Sequence, residues 1–203
     1  VKPGACSTAA LYNRGTRFPN PSNLRSTPAQ TNEKKPLMKS IAICFVCLGN
    51  ICRSPSAEGV MRYQLAEAKL ADRIEVDSAG TGNWHIGEAP DERAQRAAGQ
   101  RGYDLSALRG RQIAAADFER FDLLIAMDDA NVAALRAVCP PAQRDKIRLL
   151  MEFVPETDRR WAGSREVTDP YFGGAAGFEQ VLDQCEAACR GLVAVLRPQL
   201  LHT

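Results

Sequence analysis

Residues 41–46 read IAICFV and run straight into Cys47-Leu48-Gly49-Asn50-Ile51-Cys52-Arg53-Ser54-Pro55. This junction constrains the fold more than any other stretch. So short a continuous apolar run is a strand covered on both faces, as in a parallel sheet flanked by helices. The Ser-Pro-Ser-Ala-Glu that follows opens a helix. Ser54 is the expected N-cap, Pro55 takes the first helical position, and the helix runs to about residue 70. Strand, short loop and helix start therefore lie within 15 residues.

The same alternation continues. Residues 74–78 (IEVDS) read as a second strand and 79–90 as a glycine-containing loop. A helix over 91–100 follows. The LLIAM run at 123–127 is a third buried strand, and 129–138 is a helix ended by Cys139-Pro140-Pro141. Residues 147–150 form a fourth strand, 152–173 a long loop, and 177–196 an amphipathic helix stopped before Pro198. Alternating strands and helices predict an α/β fold with a four-stranded parallel sheet, right-handed crossovers and helices on both faces, a three-layer α/β/α arrangement. Ligands in such sheets bind beyond the carboxyl ends of the strands. The loop after the first strand is where chemistry is expected.

Residues 1–37 are different in kind. They are rich in Ser, Thr, Asn, Pro and Arg, lack apolar periodicity, and carry six basic side chains against one acid. Such a segment buries too little to offset its ordering entropy, so it is expected to be a disordered leader ahead of a domain over 38–203. It reads either as sequence upstream of a true start at Met38 or as an organelle transit peptide. The first reading implies a cytoplasmic protein and the second an organellar one. A net charge of +2 is too small to argue for nucleic acid or an anionic membrane, and neither is expected as a partner. No apolar run approaches the ~18 residues of a spanning helix. The seven cysteines are unevenly spaced with no paired CxxC, which points to free thiols in a reducing compartment and away from structural zinc.

The loop Cys47–Ser54 is a C-x5-R-S sequence. Successive backbone N–H groups in a tight strand-to-helix loop point inward and form an anion-binding nest, and the helix N-terminus adds its positive dipole end. Gly49 is expected to supply a backbone conformation closed to other residues. Asn50 tolerates left-handed geometry and bonds locally. Arg53 offers a planar fork suited to two phosphate oxygens. Free thiols ionise near pH ~8.5, and helix N-termini and cations favour the thiolate. Cys47 at the floor of this cradle is a phosphorus nucleophile, with Ser54 placed to donate its hydroxyl to the sulfur. Far downstream, Asp169 precedes Pro170, which biases it to an extended conformation.

FVCLGNICRSPSAEGV resembles the signature loop of the low-molecular-weight protein tyrosine phosphatases, and DPYFG at 169–173 is similar to that family's acid loop. DSAGTGNW, FDLLIAMDDAN and GFEQVLDQCEAACR extend the resemblance over about residues 40–197. The resemblance implies a flavodoxin-like fold and hydrolysis of phosphotyrosine and other aryl phosphates through a phosphocysteine. Cys47 would be nucleophile, Arg53 phosphate clamp and Asp169 general acid. Leu48, Gly49, Asn50, Ile51, Cys52 and Ser54 would bind the phosphate end of the substrate, and Trp84, Tyr171 and Phe172 would flank its ring. Asp128 would fix Arg53, and Ser78 would help orient Asn50. Cys52 would be able to form a reversible disulfide with Cys47. No metal or cofactor is implied. The implied partners are phosphotyrosine proteins, with phosphate or another oxyanion in the loop, and the implied state is a monomer or weak dimer.

One position departs from the family. Leu108 stands where animal members carry a His that braces the loop Asn, so the loop here is expected to be held differently. Neither His85 nor His202 fills that place, and neither is expected to be catalytic. Two rivals remain. A thioredoxin-linked arsenate reductase has a similar fold and loop, but needs paired resolving cysteines after the third strand, where this chain offers only Cys139. A phosphotyrosine-binding module without catalysis would not need both Cys47 and Asp169.

Overall fold

The computed structural model describes residues 40–201; the expected leader and His202 lie outside the described residues. Four strands, β1 (Ile41–Cys47), β2 (Ile74–Gly80), β3 (Leu123–Ala126) and β4 (Ile147–Leu149), form one parallel sheet in the order β2-β1-β3-β4. Five helices alternate with them: α1 (Arg53–Glu67), α2 (Glu92–Gln100), α3 (Asp117–Arg120), α4 (Asp129–Val138) and α5 (Ala175–Leu201). Two short 3-10 helices, Pro141–Lys146 and Leu150–Phe153, flank β4.

Alternation along β1 divides the core. Ile43, Phe45 and Cys47 face a cluster built with Val60, Met61 and Leu65 of α1 and Val181, Cys185 and Leu192 of α5. Cys44 and Val46 face the other side, with Phe118, Phe121 and Leu135. This is the expected three-layer arrangement. Ile43 and Phe45 are wholly buried, and each such side chain contributes roughly 1.5–3 kcal/mol. α1 carries no apolar stripe, because Arg53–Met61 is buried all round between the sheet, α2 and α5.

The strand order sets the site. β1 is central, and the chain leaves it toward β2 on one side, whereas β3 lies on the other. The loops leaving the carboxyl ends of β1 and β3 therefore diverge and open a crevice. Residues 47–52 and Asp128 lie at its two lips.

Two local expectations fail. α5 does not stop before Pro198 but runs through it to Leu201. A proline removes a single intrahelical N–H, and here the burial of Leu196 and Leu200 offsets that loss. Arg73 Nη2 donates to the Leu200 carbonyl at 3.0 Å, satisfying one C-terminal acceptor. Ser54 is not the N-cap of α1: Cys52 occupies that position without a side-chain cap, Arg53 is the first helical residue, and Pro55 falls third. Gly191 lets α5 pass close over the Leu150–Phe153 turn, where a Cβ would lie 1.7 Å from the Phe153 carbonyl oxygen.

Candidate active site

The residues leaving β1 wrap around the Cys47 sulfur. The Asn50 backbone N–H donates to Sγ at 3.2 Å, and the Ser54 Oγ lies 3.1 Å away. Ser54 is not free to cap the helix because its hydroxyl serves this sulfur and accepts from Asn50 Nδ2 at 2.8 Å. Each of these donors stabilises negative charge on sulfur, which is what a nucleophile or leaving thiolate requires.

Asn50 is the pin of the loop. Its φ of 56° is left-handed, as the sequence suggests for Asn. Its side chain is buried and fully engaged: Nδ2 donates to Ser54 Oγ and to Ser78 Oγ at 2.9 Å, and Oδ1 accepts from the Arg111 backbone N–H at 2.9 Å. Asn50 and Ser54 therefore hold the loop and do not line the cleft. Gly49 is not in the left-handed region. Its small size is what matters, since a Cβ would come within 3.1 Å of the His85 ring.

Leu108 packs against the larger core cluster, and the brace expected of a His comes from the Arg111 backbone. Arg111 is itself anchored by Asp77 at 3.0 Å and Asp117 at 2.8 Å. Ser78 accepts from Asn50, which leaves its own proton for Glu58, a buried carboxylate on α1 that also pairs with Arg62 at 2.5 Å. Burial pushes the Glu58 carboxyl above the usual range, while Ser78 and Arg62 oppose it. Its folded pKa lies above the unfolded one, so the native state binds the extra proton and stability falls as pH rises through that interval. Glu58→Gln removes this titration. The Tm of the variant relative to the parent is therefore expected to rise as pH climbs from the ordinary carboxylate range; a difference constant with pH in thermal melts overturns this.

Arg53 is buried, and its guanidinium is shared. Nη1 donates to Asp128 Oδ2 at 2.6 Å and to the Val167 carbonyl at 3.3 Å; Nη2 donates to Asp169 Oδ2 at 2.8 Å. Asp128 also caps α4, accepting from the Asn131 N–H at 2.6 Å, so one carboxylate serves both Arg53 and the helix start. Removing one partner of so buried an ion pair typically costs about 3–5 kcal/mol. The other oxygen of Asp169 accepts from the Tyr171 N–H at 3.1 Å, and the side chain is 48% exposed, facing the cleft mouth.

The cleft has a volume of about 300 Å³. The loop from Cys47 to Arg53 forms its floor without Asn50, and Trp84, His85, Asp169, Tyr171 and Phe172 stand around it. Tyr171 and Phe172 meet edge to face at 5.0 Å, and Trp84 is two-thirds exposed. Cys52 lines the cleft as well. Burial first, then the nearby Asp91 carboxylate, push its thiol up to about 12, so it remains protonated at neutral pH. His85, given no role by the sequence, sits at the rim with Nδ1 2.6 Å from Glu88 Oε2. Arg111, Glu58, His85 and Arg93 escaped sequence reasoning, because their partners are distant in the chain or their motif is not local. No group of three or more His, Cys, Asp or Glu side chains is placed to hold a metal among the described residues.

A thiol on the floor of the cleft, a buried guanidinium beside it and a carboxylate at the mouth, at the carboxyl edge of a parallel sheet, are the groups that a cysteine-dependent phosphohydrolase requires. Known proteins agree. Residues 42–201 match the family described as "Low molecular weight phosphotyrosine protein phosphatase". A low molecular weight protein-tyrosine-phosphatase of Streptomyces coelicolor is 44% identical over 160 residues, covering 78% of this chain and 94% of that one. The human low molecular weight phosphotyrosine protein phosphatase is 36% identical, covering 75% and 93%. A crystal structure of an Entamoeba histolytica protein tyrosine phosphatase with Hepes in its active site superposes with a TM-score of 0.74 at 38% identity, over 79% of this chain and 99% of that chain. The chain belongs to the low molecular weight phosphotyrosine protein phosphatase family, and with it is a hydrolase.

Proposed function

We propose that this chain hydrolyses phosphotyrosine in proteins, and aryl phosphates in general, by a phosphocysteine mechanism in which Cys47 is nucleophile, Arg53 the phosphate clamp and Asp169 the general acid. The observation that carries the reading is Arg53: one buried guanidinium reaches from beside the thiol to Asp169, tying the nucleophile's loop to the acid's loop. Phosphate oxygens enter the cradle against the backbone N–H groups of residues 48–53 and the Arg53 fork. Cys47 Sγ attacks phosphorus in line, the P–O bond to the aryl group breaks, and Asp169 gives its proton to the departing phenolate. Water then attacks the phosphocysteine, losing a proton to Asp169, and phosphate leaves as the S–P bond breaks. Ser54 stabilises the thiolate released in that second step. The loop residues Leu48, Gly49, Ile51 and Cys52 shape the floor of the phosphate site, and Trp84, Tyr171 and Phe172 select an aromatic ester over the shorter phosphoserine.

Six free cysteines among the described residues support a reducing compartment, and we place the protein in the cytoplasm, acting as a monomer or weak dimer. No described helix is long and apolar enough to cross a membrane. The direct test compares a phosphotyrosine peptide with its phosphoserine counterpart at mildly acidic pH in EDTA. Phosphate release from the first, at least about 100-fold faster than from the second, is expected, since a pocket built for one group rejects its analogue strongly. Equal rates, or turnover abolished by EDTA, would overturn the reading.

A further inference from the structure

Arg93 takes no part in the chemistry described above, yet its side chain meets the acid loop directly and the phosphate loop through Asp91. It is the second residue of α2, and Asp91 is that helix's N-cap. The Asp91 backbone N–H donates to the Ile51 carbonyl in the phosphate loop at 2.8 Å. Its carboxylate accepts Arg93 Nε at 3.0 Å and Nη2 at 2.8 Å, a two-pronged grip, and the Arg93 backbone N–H at 2.8 Å as well. The third arm of the guanidinium, Nη1, donates to the Gly173 carbonyl at 3.3 Å. The guanidinium lies 4.7 Å from the Phe178 ring centre and 6.0 Å from that of Tyr171. Gly173 and Tyr171 belong to the acid loop, and the Tyr171 N–H holds the Asp169 carboxylate at 3.1 Å. A continuous path thus runs from Ile51 through Asp91 and Arg93 to Asp169. An Arg satisfies this geometry because its planar fork makes two bonds on one side and one on the other; a Lys ammonium cannot span both.

We infer that Arg93 is a positioning residue for the general acid: it fixes the 169–173 loop relative to the phosphate loop so that Asp169 stands over the leaving oxygen. This rests on Asp169 being the acid. The inference makes a chemical demand that a merely structural role does not. A misplaced acid slows only those esters whose leaving group needs a proton.

The test measures kcat/KM, which reports formation of the phosphoenzyme, across aryl phosphates of increasing leaving-group pKa. Arg93→Met keeps an apolar side chain over Phe178 and loses every polar bond. It should slow phenyl phosphate by about tenfold and p-nitrophenyl phosphate by less than about twofold. In an Asp169→Asn background the same substitution should change neither by more than about twofold, because the group it positions is gone. Arg93→Lys, which keeps the charge, should show the same selectivity at smaller size and serves if the Met variant does not fold. An equal loss on all esters, or an undiminished loss in the Asp169→Asn background, overturns the inference. Should Asp169→Asn alone show no dependence on the leaving group, it is the assignment of the acid that fails.

Discussion

Cys47→Ser is expected to abolish phosphatase turnover, lowering kcat by about 10⁴-fold or more, while leaving the fold intact. The geometry says why one atom matters so much. The sulfur accepts the Asn50 N–H and lies 3.1 Å from the Ser54 hydroxyl, and among the described residues no carboxylate or imidazole is hydrogen-bonded to it. A thiol in such surroundings is activated by stabilising its anion. A serine hydroxyl ionises so much less readily that the same donors cannot make it a nucleophile. The substitution is nearly isosteric, and Asn50 remains pinned by Ser78 and Arg111, so Tm should move little. Inorganic phosphate should still inhibit with an affinity within a few-fold of the parent's, because the N–H groups and Arg53 are untouched. The measurements are aryl phosphate turnover in EDTA, phosphate inhibition or calorimetry, and a thermal melt. Residual turnover within about tenfold of the parent would mean that the attack is made by water and not by the enzyme.

Asp169→Asn should act on rate and affinity in opposite directions. An amide cannot give up a proton to phenolate, so kcat/KM for phenyl phosphate should fall by about 10²–10³-fold, and the limb of the pH profile that reports loss of the acid's proton should disappear. Affinity for phosphate should rise instead. Asp169 Oδ2 holds Arg53 Nη2 at 2.8 Å, the arm of the fork that faces the cleft mouth, so a phosphate oxygen must displace a carboxylate and then share the site with its charge. Removing that charge should tighten phosphate binding several-fold, measured by calorimetry or by inhibition of residual turnover. Weaker phosphate binding in the variant would show that the Arg53–Asp169 pair organises the cradle and does not compete with the ligand.

The parts of this protein that local chemistry controls were legible without coordinates. Short apolar runs bounded by turn residues gave four strands close to their observed places. The C-x5-R-S junction pointed to the candidate site, because a strand end, a tight loop and a helix start are all made by neighbouring residues. Misreadings arose where a distant partner overrode a local rule. Pro198 was expected to end α5, but Leu196 and Leu200 are buried against the core and the helix continues. Ser54 was expected to cap α1, but the Cys47 sulfur and the Asn50 amide claim its hydroxyl. Gly49 was expected to supply an unusual backbone, but the His85 ring beside it asks only for a missing side chain.

What the sequence by itself determined is the chemistry available: a thiol, a guanidinium and a carboxylate, the first two on one loop, in an α/β chain. What only the tertiary structure decided is which groups complete the site. The resemblance already named Ser78 for Asn50 and Asp128 for Arg53; beyond these, Asn50 meets Arg111, Arg53 meets Asp169, and Arg93 meets Gly173, across sequence separations of 61 to 116 residues. No local pattern encodes such pairs. They exist because the order β2-β1-β3-β4 puts the ends of β1 and β3 beside one another, and because the α5 side of the sheet brings the acid loop over the crevice between them.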